Sequence, residues 1–195
     1  MREVYSAIAF ERFASQKVMT IKVEKITEFR HSDLADLVQA TEDAIREGIG
    51  FNWVVPPGKD VLETYWKGVL VVPQRVLLGG RLDGTLASSI QLVRPGASKE
   101  TSSFAATLEA HFVAPWARGH GLAKALLLAA ERQARGEGFS VLKLSVRDTQ
   151  EPAIKLYEES GYILWGTLPT YEFVSTTMVP GRFYYKNLEP ITTLV

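Results

Sequence analysis

A glycine-rich turn is the part of this chain whose residue types point most directly to a bound ligand. Residues 118–123 read Arg-Gly-His-Gly-Leu-Ala, directly after an apolar segment at 108–113 and at the start of a helical pattern. Glycine has no Cβ, so the backbone at Gly119 and Gly121 can approach a ligand closely. The first turn of the following helix offers unpaired N–H groups at the positive end of the helix dipole. The turn therefore predicts a phosphate or pyrophosphate site, and a tight turn without a ligand is the alternative.

Three side chains near this turn bear on anion binding. The backbone N–H groups from Gly119 to Lys124 would surround the phosphate. The cationic side chains of Arg118 and Lys124 can add charge-assisted hydrogen bonds. We expect His120, which lies between the two glycines, to face solvent or the phosphate.

Apolar periodicity predicts the elements that must position the turn. Asp83-Gly84 between two apolar runs indicates a two-residue hairpin, and the run after Ser32 has helical spacing that Gly48 and Gly50 end. The predicted order is βααβββαβαββ, which indicates one mixed α/β domain with an antiparallel front half and a βαβ centre. Strands are predicted at 21–29, 75–82, 85–93, 104–113, 141–146, near 163–167 and near 182–188, and helices after Ser32 and at about 60–71, 122–135 and 152–159.

The composition excludes several classes of function. The chain has 195 residues, 46% hydrophobic and 23% charged, with a formal net charge of +0. This balance is typical of one folded domain and does not favour binding to nucleic acid or to an anionic membrane. No cysteine is present, so disulfides, thiolate metal ligands and a cysteine nucleophile are excluded.

The chain is expected to form one domain with a short extension. We predict an extension over residues 1–20 and a single domain over residues 21–195. No run approaches the roughly 18 apolar residues of a membrane span, and the amino end makes a poor signal peptide. We therefore expect a cytoplasmic protein that does not bind membranes.

Two segments carry a family resemblance. Arg118, Gly121 and Ala123 fill an R-x-x-G-x-A pattern after Val-Ala-Pro at 113–115, and residues 153–162 read Ala-Ile-Lys-Leu-Tyr-Glu-Glu-Ser-Gly-Tyr. With this element order, the chain resembles the GCN5-related N-acetyltransferase (GNAT) superfamily. The resemblance implies acetyl-CoA as co-substrate. It also implies a mixed central sheet, with an antiparallel front half and a splayed parallel pair at its centre, flanked by about four helices.

A narrower resemblance covers roughly residues 20–188. Gly50-Phe51, Tyr65-Trp66 and the segment Phe-Tyr-Tyr-Lys-Asn-Leu at 183–188 are similar to the tabtoxin-resistance acetyltransferase subgroup. This resemblance implies a homodimer that acetylates a small polar molecule.

The superfamily resemblance also assigns roles to residues. It implies that Tyr157 is the general acid for the coenzyme A thiolate, and a phenol is protonated at neutral pH. Gln150 stands where the family usually has an asparagine that bonds the pantetheine arm. The main chain of the strand next to the turn would pair with that arm. The expected cofactor residues are His111, Phe112, Val113, Arg118, Gly119, His120, Gly121, Leu122, Ala123, Lys124 and Gln150.

Two residues are candidates for the general base. Period-two alternation predicts that Glu109 shares a strand face with His111 and Val113. The segment around Glu109 is similar to the strand of polyamine acetyltransferases, where that glutamate is a proposed base through water. His111 is the second candidate because its ordinary pKa suits proton transfer. The alternatives are a solvent-facing glutamate, a structural histidine and, at Tyr157, a core tyrosine.

The acceptor side is expected to be aromatic. Phe51 and Trp53 lie in a loop that we predict to bind the acceptor, because loops on a scaffold often carry recognition. Further candidates for the pocket wall are Asn52, Tyr65, Trp66 and Tyr171, although aromatic residues at helical spacing such as Tyr65 and Trp66 are more often core or interface residues. The three histidines have no metal-ligand spacing with carboxylates, so no metal is expected.

The resemblance implies direct acetyl transfer in a ternary complex to a small-molecule amine, or to a hydroxyl by analogy with the tabtoxin-resistance enzymes. No cysteine, and no serine with an evident base, is available to form an acyl-enzyme. Two alternatives remain open: transfer to a protein N-terminus or lysine, and a non-catalytic module that binds coenzyme A. A peptide acceptor would need an open acidic groove, and a metabolite a closed aromatic pocket.

Overall fold

A seven-stranded mixed sheet organises the protein. The computed structural model describes residues 19–49 and 51–188. The predicted extension therefore lies outside the described residues, except for Met19 and Thr20, and so does Gly50. The strands are β1 (Ile21–Ile26), β2 (Arg75–Leu82), β3 (Thr85–Val93), β4 (Ala105–Val113), β5 (Val141–Arg147), β6 (Ile163–Val174) and β7 (Thr177–Asn187).

The strand order confirms the predicted sheet. The strands lie in the order β1-β2-β3-β4-β5-β7-β6. β1 to β4 pair antiparallel, β4 and β5 pair parallel, and β7 pairs antiparallel with both β5 and β6. The hairpin between β2 and β3 turns at Asp83-Gly84, where both residues have positive φ, as the sequence predicts.

Four α-helices pack on the sheet, in the predicted chain order. They are α1 (Asp33–Arg46), α2 (Lys59–Val71), α3 (Leu122–Gly136) and α4 (Glu151–Glu159), and short 3-10 turns lie at Glu100–Ser102 and Pro115–Ala117. Ser32 is the N-cap of α1, but its side chain makes no capping hydrogen bond. Within the described residues, no helix is long and apolar enough to cross a membrane.

The two faces of the sheet hold separate hydrophobic clusters. Leu77 belongs to the cluster that contains the buried residues of α1 and α2, whereas its neighbours Val76 and Leu78 belong to the cluster that contains α3 and α4. This alternation is what a strand requires when both of its faces are covered. At the centre of the first cluster, the fully buried Trp66 donates its indole N–H to Thr41 of α1 at 3.0 Å. The sheet is therefore fixed from both sides around its middle strands.

The last two strands are longer than the sequence indicates. β6 continues past Thr167 to Val174, and β7 begins at Thr177 instead of near Arg182. Pro169 would end an ordinary strand because it has no N–H to donate. Here it lies where the register between β6 and β7 shifts, between Leu168 and Glu172, so its missing N–H interrupts no regular ladder. At the other end of the sheet, β1 stops at Ile26, short of the predicted end at Phe29.

Candidate functional site

A cleft opens where β4 and β5 diverge. The two strands pair through only three residues each, from Ala105 opposite Val141 to Thr107 opposite Lys143. Beyond those residues, the facing edges of the two strands are not paired with one another. The cleft in this gap has a volume of about 450 Å³. Its lining includes Phe51, Trp53, Glu109, His111, Gln150 and Tyr157.

The glycine-rich turn lies between β4 and α3, as predicted. Gly119 and Gly121 have φ of +80° and +83°, a backbone conformation that other residues adopt only at a cost. Gly121 is the N-cap of α3. Within the described residues, the backbone N–H groups of residues 119–124 donate to no acceptor in the chain. These groups point from the start of a 15-residue helix and can receive an anion.

The side chains around the turn are partly engaged elsewhere. Arg118 forms an ion pair with Glu47 at 2.6 Å, at the end of α1. His120 is exposed and its Nδ1 lies 3.3 Å from the carbonyl of Ala117. Lys124 is exposed on the first turn of α3, and Leu122 beside it is fully buried in the core. The backbone therefore offers more to an anion at this turn than the arginine side chain does.

On its cleft side, the main chain of β4 is engaged at Val113, whose carbonyl accepts a long hydrogen bond of 3.4 Å from Arg118 Nε. Phe112 and Val113 pair with Ser89 and Ser88 of β3, and their side chains are buried in the first hydrophobic cluster. Their opposite edge faces the gap to β5. The side chains are thus core residues, and it is the backbone that borders the cleft.

Tyr157 and His111 form a hydrogen-bonded pair at the cleft. The Tyr157 hydroxyl lies 3.0 Å from His111 Nδ1, and His111 Nε2 lies 3.1 Å from the carbonyl oxygen of Ala123. A carbonyl only accepts, so Nε2 carries the proton, and Nδ1 accepts the hydroxyl proton of Tyr157. Both nitrogens of the imidazole are therefore engaged.

Burial sets the protonation of this pair. It lowers the pKa of His111 to about 4, although the hydrogen bond to Ala123 acts in the opposite direction. It raises the pKa of Tyr157 above the usual value of a phenol. At neutral pH the imidazole is therefore uncharged and the phenol is protonated. Neutral histidine with no free lone pair is poorly suited to act as a base.

A β-bulge overturns the prediction that Glu109 and His111 share a strand face. Ala110 has φ of +46°, and the register between β3 and β4 shifts at this point. An extra residue in one strand reverses the alternation that follows it. Glu109 consequently contacts Arg75 at 2.8 Å, beside Gln91, whose amide bonds Tyr65 of α2. His111 instead contacts residues of α3 and α4, and the two side chains reach the cleft from opposite faces of the sheet.

Aromatic side chains form one wall of the cleft. Phe51 contacts Phe112 with ring centroids 5.1 Å apart, and Trp53 meets Tyr65 edge to face at 5.4 Å. Tyr171 reaches the cleft from β6 and its hydroxyl lies 2.8 Å from Ser145 Oγ. Trp66, a candidate for this wall in the sequence, is instead fully buried behind Phe51.

A buried arginine that no sequence pattern indicated anchors the aromatic loop. Arg147, at the end of β5, donates to the carbonyls of Gly48 and Phe51 at 3.1 and 2.6 Å and forms an ion pair with Glu172. Gln150 Nε2 also donates to the Gly48 carbonyl, at 3.0 Å. The amide of Gln150 is thus directed at the loop. Because most of these acceptors are backbone carbonyls, no spacing of side-chain types in the sequence could have indicated the contact.

Comparison with known proteins identifies the family. The sequence model of the Acetyltransferase (GNAT) family matches residues 38–162. The chain belongs to this family. A protein of Azospirillum brasilense, an uncharacterized N-acetyltransferase in the hisH-hisA intergenic region, is 54% identical over 130 residues, which are 67% of this chain and 77% of the relative.

Solved structures show that the GNAT fold is shared. An N-acetyltransferase from Staphylococcus aureus Mu50 has a TM-score of 0.73 and 19% identity, covering 87% of this chain and 99% of its own. A proposed acetyltransferase from Salmonella typhimurium, solved with its cofactor acetyl-CoA, has a TM-score of 0.71 and 15% identity. The match covers 89% of this chain and 96% of the Salmonella chain. The predicted superfamily and fold are confirmed, and this GNAT protein is an acyltransferase that uses acetyl-CoA.

Proposed function

We propose that this GNAT enzyme transfers the acetyl group of acetyl-CoA directly to the amine, or the hydroxyl, of a small molecule in a ternary complex. The observation that carries the proposal is that Glu109, Tyr157 and the aromatic loop border one cleft, at the point where β4 and β5 diverge. The cleft volume of about 450 Å³ lies within the range of small-molecule sites. Its aromatic wall favours a metabolite over a peptide as the acceptor.

The cofactor would lie along the turn and the gap between the strands. The unpaired N–H groups of residues 119–124 would bind the pyrophosphate, and the exposed cations Arg118 and Lys124 would lie on either side of them in the chain. The pantetheine arm would pair with the main-chain edge of His111, Phe112 and Val113 that faces the gap, as an added strand does, and it would displace Arg118 Nε from the Val113 carbonyl. Gln150 borders the same cleft and its amide oxygen is available to the arm.

Glu109 and Tyr157 would carry out the proton transfers. In this scheme the amine loses a proton to Glu109, directly or through one water, as its nitrogen bonds the acetyl carbon. The carbon–sulfur bond then breaks, and the Tyr157 hydroxyl turns away from His111 Nδ1 and gives its proton to the departing thiolate. Glu109 is preferred to His111 as the base because both imidazole nitrogens are already hydrogen-bonded. Only Arg75, among the described residues, bonds Glu109, which leaves one carboxylate oxygen for the acceptor.

Calorimetry with acetyl-CoA and coenzyme A is the first test. Gly121→Glu should abolish binding, because it adds a negative charge and a strained side chain where the phosphate would lie. Gly138→Glu is the matched control: Gly138 has φ of +84° and open space around its Cβ position, but it lies beyond the other end of α3. If both variants bind acetyl-CoA like the wild type, the turn is not the cofactor site.

Acetylation of a panel of amines, amino alcohols and peptides then tests the chemistry. Tyr157→Phe and Glu109→Gln should each lower kcat by about 100-fold or more while the Kd for acetyl-CoA stays unchanged. Acetylation of peptides alone would favour the protein acceptor instead. Binding of acetyl-CoA without turnover of any acceptor would favour the non-catalytic module.

We further propose that the enzyme is a homodimer, as the resemblance to the tabtoxin-resistance subgroup implies. The outer strand β6 supports this, since Trp165, Leu168 and Phe173 are exposed on it and its outer edge is unpaired in the sheet. Light scattering after size-exclusion chromatography should give a mass near 43 kDa, about twice the 21.7 kDa of one chain. Trp165→Glu should shift that mass towards the monomer.

A further inference from the structure

A chain of hydrogen bonds fixes one hydroxyl on the acceptor side of the cleft. Arg75 Nη1 donates to Gln91 Oε1 at 2.5 Å and to Glu109 Oε2 at 2.8 Å. Gln91 Nε2 in turn lies 3.0 Å from the hydroxyl oxygen of Tyr65, on α2. Gln91 is fully buried, and Tyr65 and Glu109 both line the cleft. Four polar side chains from three strands and one helix thus form a single network.

The direction of every bond in this network follows from Arg75. A guanidinium has donors only, so the oxygen of Gln91 must face Arg75 and its NH₂ must face Tyr65. The NH₂ group has no lone pair to accept with, and the Tyr65 oxygen is therefore the acceptor. Tyr65 has one proton left to donate, and no described residue accepts it.

Packing holds this hydroxyl in place. The ring of Tyr65 meets the rings of Phe51, Trp53 and Trp66 edge to face, with centroids 6.3, 5.4 and 4.9 Å away. Burial raises the pKa of Tyr65, so the phenol stays protonated at neutral pH. The cleft therefore presents a fixed hydrogen-bond donor in an aromatic wall, close to the carboxylate of Glu109.

We propose that Tyr65 determines acceptor specificity: the acceptor carries an oxygen function, such as an ether, carbonyl or hydroxyl oxygen, that receives the Tyr65 proton while the amine lies at Glu109. This inference rests on the proposed function and narrows its substrate class to small amines that bear such an oxygen. A plain alkylamine leaves the Tyr65 donor without a partner in a partly buried wall, which costs binding.

Pairs of amines that differ in one atom test the inference. The pairs are 2-methoxyethylamine with butylamine, 3-methoxypropylamine with pentylamine, and 4-methoxybutylamine with hexylamine. Each pair exchanges a CH₂ for an ether oxygen, which accepts but cannot donate. The quantity measured is the ratio of kcat/KM, ether over alkyl, in wild type and in Tyr65→Phe. Because it is a ratio within one variant, it cancels any general loss of activity.

The ratio should fall about tenfold in Tyr65→Phe for at least one pair, which is the effect of one neutral hydrogen bond of roughly 1.4 kcal/mol. Gln91→Glu should give the same fall with the phenol intact, because a carboxylate only accepts and would turn the Tyr65 proton away from the cleft. Thermal unfolding checks that this second variant is folded, and Tyr65→Phe decides the question if it is not.

Three outcomes separate the claims. A ratio that falls in both variants supports the assignment of Tyr65. If alkyl and ether amines are acetylated but the ether-over-alkyl ratio of kcat/KM is unchanged in Tyr65→Phe, this inference is overturned and the proposed function remains intact. Binding of acetyl-CoA without turnover of any amine or amino alcohol overturns both.

Discussion

Replacing Arg147 with methionine should lower the free energy of unfolding by about 3 kcal/mol. Methionine keeps the unbranched length of the side chain but removes every donor. The Arg147 side chain is 10% exposed, and that of its partner Glu172 is 23% exposed. Removing one member of a buried ion pair costs about 3–5 kcal/mol, and the partial exposure of Glu172 places this pair at the lower end. The Gly48 carbonyl keeps its bond from Gln150, whereas that of Phe51 loses its donor.

A double-mutant cycle with Glu172→Gln isolates the cause. If the cost of Arg147→Met comes chiefly from a carboxylate left without its cation, removing that charge should recover part of it. The double variant should then be more stable than the sum of the two single changes predicts, by about 1 kcal/mol or more. Lys155→Met is the matched control, because Lys155 forms an exposed helical pair with Glu159 and should cost less than about 0.5 kcal/mol.

Urea denaturation followed by tryptophan fluorescence measures these free energies, and steady-state kinetics follows the loop. The KM for the acceptor should rise in Arg147→Met because the loop with Phe51 and Trp53 loses its anchor, while the Kd for acetyl-CoA should hardly change. Strictly additive free energies would refute the ion-pair argument. An unchanged acceptor KM would show that Arg147 does not position the loop.

Two more predictions concern packing and pH. Gly181→Ala should lower the free energy of unfolding by about 1–3 kcal/mol and raise the KM for the acceptor, because its Cβ would lie 2.2 Å from Tyr171 Cγ and displace that ring. Gly166→Ala is the control: no atom lies within 4 Å of its Cβ position, so it should change neither quantity. Equal effects in chemical denaturation would contradict this. Arg81 holds the pKa of Asp33 below its usual value, so this stabilisation is present above about pH 4 and is lost as the pH falls through the folded-state pKa. Between about pH 6 and 2, the free energy of unfolding should therefore fall less in Asp33→Asn than in the wild type. If the two proteins lose stability in parallel as the pH falls, the prediction is wrong.

Regular local chemistry made most of the fold predictable. The hairpin at Asp83-Gly84 begins and ends where expected because that dipeptide suits positive φ. The bulge at Ala110 gives no such signal, since alanine is common in every kind of element. The strand-face argument for Glu109 and His111 was wrong for that reason alone. The length of β6 was also missed, because the register shift that lets the strand continue past Pro169 is invisible in one sequence.

The positions of the glycine-rich turn and of Tyr157 were predictable from the sequence, and the contacts that hold the aromatic loop were much less so. The glycines of the turn and Tyr157 belong to short motifs, so the sequence places them. Arg147 bonds backbone carbonyls, and Gln91 belongs to a hydrogen-bond network between three strands and a helix. The residues that meet in these contacts are far apart in the sequence and share no pattern. Their roles follow only from distances and from which atoms can donate.

The short seam between β4 and β5 has a thermodynamic consequence for whatever enters the cleft. Past Thr107 and Lys143, the facing edges of the two strands carry N–H and C=O groups with no partner in the other strand, and those that no side chain bonds are left to solvent. A ligand arm that pairs with them exchanges solvent bonds for its own, at a net gain of only about 0.5–1.5 kcal/mol per bond. The edges therefore set how far a ligand enters the cleft and in which direction it runs, but they hardly slow its release. Tight binding has to come from the charged end of the ligand.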